Sequence, residues 1–110
     1  MNCLFCRIAE GELPSTKVYE DERVLAFRDI DPQAPVHVLI IPKAHFDSIL
    51  EADGDTVAYM TQIAKKIAAD EGLCEKGFRL VINTGEEGGQ SVKHLHMHML
   101  GGRSLQWPPG

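Results

Sequence analysis

The chain has 110 residues, 44% of them hydrophobic, and a net charge of −5, which bounds it to one domain (1–110) with a core of its own and excludes two. No apolar run approaches the ~20 residues of a membrane span, and no basic start leads into a long apolar stretch as in a signal peptide, so a cytoplasmic protein without a membrane partner is expected. The acidic balance disfavours a nucleic-acid partner, which needs a basic face to displace counterions. Three cysteines in such a chain point to thiols or metal ligands instead of disulfides.

In chain order, residues 3–10 predict a short helix ended by Gly11, and Pro14 marks the turn into a first strand, Lys17–Glu20. Glu20-Asp21-Glu22 turns the chain back into a second strand, Arg23–Arg28, forming a hairpin. Asp31-Pro32-Gln33-Ala34-Pro35 predicts a loop, and Val36–Ile41 a nearly all-apolar third strand stopped by Pro42. From about Asp55 to Glu71, Val57, Met60, Ile63, Ala64 and Ile67 recur at helical spacing, with Asp53 or Asp55 as cap and Gly72 as stop. Phe78–Ile82 predicts a fourth strand, 84–89 a Gly-rich loop, and Leu95–Leu100 a fifth strand. The expected class is α+β, a five-stranded antiparallel sheet with one long and one short N-terminal helix.

The fifth strand carries the chemistry. In His94-Leu95-His96-Met97-His98-Met99-Leu100 three histidines alternate with apolar residues, and a strand would stand them in one row roughly 6–7 Å apart with Leu95, Met97 and Met99 packed behind. A helix would scatter them. Neutral imidazole, with an unperturbed pKa of ~6.5, is nucleophilic near neutral pH, and phosphorus is a good target for it. The backbone N–H groups of Gly89–Val92, in a glycine loop just before this strand, suit the phosphoryl oxygens of such a reaction. Other residues are ambiguous alone. Ser91 offers a hydroxyl that both donates and accepts, Asp29 alone reads equally as a turn-initiating Asp or as a carboxylate able to accept from a ligand, and His37 is a core or a site histidine. Cys3-x-x-Cys6 is suitable for half of a tetrahedral zinc site, which two histidines could complete, or is simply a pair of partly buried thiols. Cys74 has no partner in sequence and is expected to be structural.

The row His94–Leu100 and four stretches around it resemble the histidine triad family. The four stretches are Phe27–Lys43, the run Asn83-Thr84-Gly85-Glu86-Glu87-Gly88-Gly89-Gln90-Ser91-Val92 leading into the histidines, and Gly101-Gly102-Arg103 with the terminal Trp107-Pro108-Pro109-Gly110. The chain is most similar to the Hint-type branch, whose members are purine nucleoside phosphoramidases. Asp31 stands where many relatives have Ser. The resemblance implies that His96 attacks the α-phosphorus to form a nucleotidyl-histidine, with His98, Ser91 and His37 as further catalytic residues. It implies that Asp29, Ile30, Asn83, Gly89, Ser91, Val92, His98 and Trp107 bind substrate, Asp29 at the ribose and Ser91 at the departing amine. It also implies a structural Zn²⁺ on Cys3, Cys6, His45 and His94, not required for catalysis. The expected partners are a purine nucleotide and a second copy of the chain, the two sheets joining into ten strands through the long helix and the fourth strand. Dinucleoside polyphosphate hydrolysis, or a non-catalytic purine-nucleotide adaptor, are the alternatives. A zinc hydrolase with all three histidines on one ion is disfavoured, because consecutive same-face positions on a strand stand ~7 Å apart and cannot converge on one ion.

Overall fold

The computed structural model describes residues 2–110. Its elements are α1 (Leu4–Ala9), β1 (Lys17–Glu20), β2 (Val24–Arg28), β3 (Val36–Pro42), α2 (Gly54–Asp70), β4 (Phe78–Val81) and β5 (Met97–Gly101). The strands form one antiparallel sheet in the order β1-β2-β3-β5-β4. The expected class and element order are therefore observed.

The two sheet faces follow from strand alternation. Val24, Ala26, Val38, Ile40, Met97 and Met99 point to one side, where Met60, Ile63, Ala64, Ile67 and Ala68 of α2 cover them. Leu25, Phe27, Leu39 and Ile41 point to the other, where they meet Phe5 of α1. Helix α2 begins where the Asp53 carboxylate accepts from the Thr56 N–H and hydroxyl, satisfying a donor the first turn leaves free. It stops at Gly72, whose φ of +71° suits a residue without a Cβ. The hairpin between β1 and β2 closes on Asp21, whose Oδ1 accepts from the Arg23 and Val24 amides while its Oδ2 accepts from the Tyr19 and Tyr59 hydroxyls.

One strand departs from its sequence pattern. The fifth strand starts at Met97, not Leu95, so only His98 of the three histidines lies within it. The ladder with β3 ends at Ile40 opposite Met97. Two residues further along β3 stands Pro42, which has no N–H to donate, and whose carbonyl oxygen instead accepts from His94 Nε2 at 2.8 Å. The His94 ring thus satisfies a carbonyl at the end of β3 beyond the last rung with β5. Among the described residues no helix is long and apolar enough to cross a membrane.

Candidate functional site

Because β5 begins late, the histidines do not form one row but separate into two clusters. His94 turns away to meet Cys3, Cys6 and His45. Cys3 sits at the N-cap of α1 and Cys6 one turn later, so both sulfurs lie on one side of that helix end. His94 Nδ1 is 3.3 Å from Cys3 Sγ, 3.5 Å from Cys6 Sγ and 3.2 Å from His45 Nδ1, and His45 Nδ1 is 3.3 Å from Cys6 Sγ. Ligands at Zn–S ≈ 2.3 Å and Zn–N ≈ 2.0–2.1 Å around a tetrahedral ion stand about 3.3–3.6 Å apart for N–N and N–S pairs, so the spacing fits.

The tautomers fit as well. A carbonyl only accepts, so His94 Nε2 carries the proton that goes to Pro42 O. His45 Nε2 likewise donates to the Asp47 carboxylate at 2.7 Å. Both Nδ1 lone pairs therefore face the cluster, and each outer nitrogen is held by the oxygen acceptor usual behind a metal-ligating histidine. Burial first, then the neighbouring Cys3 sulfur, pushes the Cys6 thiol up to about 11, so a thiolate there calls for a cation. The donor set, its spacing and its tautomers fit Zn²⁺.

The second cluster lies on the sheet face opposite α2. His96 Nδ1 is 2.8 Å from the His94 carbonyl oxygen. Nδ1 must donate, which leaves the lone pair on Nε2. Every fully enclosed side-chain nitrogen or oxygen among the described residues has a hydrogen-bond partner. His96 Nε2 has none, so although the residue is only 3% exposed this atom is not fully enclosed. Phe5 packs edge-on against the ring, with centroids 5.1 Å apart.

A backbone amide sets the next pair. The Gln33 N–H donates to His37 Nδ1 at 3.1 Å, so the His37 proton is on Nε2 and is given to His98 Nδ1 at 2.9 Å. His98 is then a donor at Nε2, and its ring stands 5.0 Å from that of His96. One imidazole offers a lone pair and its neighbour an N–H. Burial, then the neighbouring His96 and His37, holds His98 down at about 4, and burial lowers His37 against the opposing Asp29 and Asp31, so neutral tautomers are favoured near pH 7. Asp29 Oδ2 is 3.4 Å from His37 Nε2. Asp29, His37 and His98 are close enough to hold a metal. An ion on His37 Nε2 would, however, drive the proton onto Nδ1 against the Gln33 N–H, so these tautomers do not fit one. Among the described residues His94, His96 and His98 do not converge on a common metal position.

The loop before the histidines corrects one expectation. The Gly89 amide is spent on Glu86 O and the Gln90 amide on Gly85 O, both at 3.0 Å. Only the Ser91 and Val92 amides of the four donate to no acceptor among the described residues. Gly89, at φ +78°, makes the turn that presents them. Gly88 lies so close to Thr84 that a Cβ would stand 2.3 Å from its carbonyl oxygen. Ser91 is exposed and Val92 half-buried, and Asn83 is half-buried at the start of the loop. Ile30 is fully exposed beside Asp29. Trp107 is 81% exposed on a tail held by the Arg79 guanidinium donating to Gln106 O at 2.9 Å. Cys74, expected to be structural, is exposed, because the turn after Gly72 sends Leu73 inward instead.

Two residues near the site had no signal of their own. Phe5 reads as a generic apolar residue between the cysteines, and Gln90 as loop filler. Only long-range contacts give them a place.

A sheet whose one face carries histidines of opposite hydrogen-bonding sense, flanked by a glycine loop and a two-cysteine helix, defines a recognisable class. The HIT domain model matches residues 10–105, and the chain belongs to the HIT domain family. It is 54% identical to an uncharacterized HIT-like protein of Synechococcus elongatus, over 97% of this chain and 96% of that one. It is 52% identical to a 14 kDa zinc-binding protein of Zea mays, over 97% and 87%. The crystal structure of a HIT family hydrolase from Legionella pneumophila superposes with a TM-score of 0.96 at 55% identity, covering 99% of this chain and 100% of that one.

Proposed function

We propose that this protein is a nucleotide hydrolase that cleaves the P–N bond of purine nucleoside 5′-phosphoramidates. The observation that carries this reading is the His96 tautomer, with Nδ1–H held on the His94 carbonyl and the lone pair left on Nε2, which no protein group occupies. His96 Nε2 attacks the α-phosphorus. The P–N bond breaks with its electron pair going to nitrogen, and the amine departs with a proton that the Ser91 hydroxyl donates while it takes one in turn from water. Negative charge on the phosphoryl oxygens is met by His98 Nε2–H and the Ser91 and Val92 amides. Water then attacks the nucleotidyl-histidine, freeing His96 and releasing the nucleoside monophosphate. Asp29 accepts from the ribose hydroxyls, Ile30 packs on the base, and Asn83 and the Gly89 turn shape the phosphate surroundings.

Zn²⁺ on Cys3, Cys6, His45 and His94 would tether α1 to the sheet and supply none of the bond-making chemistry. That the Zea mays relative is named a zinc-binding protein supports this assignment. A homodimer joined through β4 and α2 would place Trp107 of one copy near the site of the other. The position of β4 at the sheet edge supports it, as does Phe78, 36% exposed there, because an open edge invites pairing.

The test is His96→Ala assayed on an adenosine 5′-phosphoramidate, with AMP binding measured in parallel. Turnover should fall by at least ~10³-fold while AMP still binds, as expected for loss of a covalent nucleophile. Turnover above about 1% of wild type would refute the assignment. A wild-type protein that binds AMP and hydrolyses nothing would be an adaptor.

A further inference from the structure

Gln90 makes more hydrogen bonds than its place in a glycine loop would suggest. Its backbone amide donates to Gly85 O, and its side-chain Oε1 accepts from Gly85 N–H at 3.0 Å. The loop 85–90 is thus closed by a reciprocal pair. Its Nε2 donates to Asp47 O at 2.6 Å and to Val92 O at 3.0 Å. The first of these reaches across the fold to the segment whose Asp47 carboxylate holds His45. The second holds the peptide following Val92, next to the two uncommitted amides. Both amide protons of Gln90 are therefore spent on backbone carbonyls, and none is left to donate to a phosphate.

We infer that Gln90 is a positioning residue, which acts through the backbone to hold the Ser91 and Val92 amides in the orientation that receives an anion. Preorganised donors bind a phosphoryl oxygen without the cost of ordering a loop. Glycines at 85, 88 and 89 leave this segment free to adopt other shapes, and Gln90 supplies the restraint they lack. The inference rests on the proposed phosphate-binding role of the loop.

The test compares wild type with Gln90→Met, which keeps the length and loses all three side-chain bonds. Gln90→Glu is the second variant. It keeps the acceptor for Gly85 N–H and sets a carboxylate oxygen against two carbonyls. Three quantities are measured, namely AMP affinity by titration calorimetry, kcat and KM on the phosphoramidate, and hydrogen exchange at the Gly85 amide. The expected result is an AMP affinity weaker by about tenfold in both variants, a rise in KM that exceeds the fall in kcat, and faster Gly85 exchange in Gln90→Met than in Gln90→Glu. Affinity within twofold of wild type, or a loss confined to kcat, would overturn the inference, the latter by placing Gln90 at the reacting atoms. Should Gln90→Met not fold, Gln90→Asn, one methylene short of both partners, is held to the same criteria. A wild type that binds AMP without hydrolysing it sinks the proposed activity alone, since affinity and exchange still decide the role of Gln90. A wild type that binds neither AMP nor inorganic phosphate sinks both.

Discussion

Replacing His98 with Asn should make the fold less sensitive to acid. In the folded protein burial, followed by the neighbouring His96 and His37, keeps the ring from protonating until about pH 4, against an ordinary value of 6.5, with Asp29 opposing. The unfolded chain takes up that proton below 6.5, so it binds more protons than the folded state between 6.5 and about 4. Stability present above the unfolded value is therefore lost as pH falls through that window. Between about pH 7 and pH 5 an isolated ring with these values would lose about 2 kcal/mol. His98 is only half-buried, and solvent screening brings the expected figure to ~1 kcal/mol. At a urea dependence of ~1–1.5 kcal/mol per molar, that is a shift of roughly 0.7–1 M in the unfolding midpoint. Urea unfolding of wild type and His98→Asn at the two pH values reads this difference. His37, lowered by its own burial, adds acid sensitivity in the same direction to both proteins. Midpoints that fall in parallel would show that the His98 ring is not held neutral as described.

Protein purified without added zinc should carry close to one equivalent per chain, and chelation should lower its melting temperature by several degrees, about 4–8 °C for each kcal/mol of binding lost. No metal, with Cys3 and Cys6 both freely titratable by a thiol reagent, would refute the Cys3–Cys6–His45–His94 assignment. Sedimentation should give about twice the 12.2 kDa chain mass. Deleting residues 105–110 should change leaving-group preference more than AMP affinity, and a monomer at micromolar concentration or unaltered specificity would remove the tail from the site.

Most of the fold was legible in the sequence because burial follows period. The alternation in β5, the continuous apolar run of β3, buried on both faces, and the 3.6-residue recurrence in α2 each follow burial. Strand limits were less so. That Pro42 is the last residue of β3, and that His94 and His96 fall outside β5, depends on which backbone groups find partners across the sheet, and single-strand patterning does not contain that. Within the site, alternation gave His37 a face but left it a core or a site histidine, and the pairing of β3 with β5 that sets it against His98 was not contained in either strand alone. The meeting of His45 with Cys6 across 39 positions was not legible either, and entered only through the family resemblance. Phe5 and Gln90 were missed because their chemistry is ordinary and their partners are distant. The four-amide anion cradle was overstated, since glycine content shows where a loop can bend but not which N–H groups the bend consumes.

The alternation at the start of β5 has a consequence for how this chain can change. Met97 and Met99 lie in the core beneath α2, and His96 and His98 lie on the opposite face. Sliding the strand by one position would exchange the two sets, sending imidazoles into the apolar layer and thioethers into the site. A deletion or insertion within Met97–Met99 therefore cannot weaken the site by degrees. It would set the wrong face of the strand against α2, whereas a change of length in the exposed 85–89 turn leaves the pairing of β5 with β3 untouched. Evolutionary drift in length is thereby steered to the turn, and the spacing within Met97–Met99 should be held fixed by the same burial that makes the domain stable.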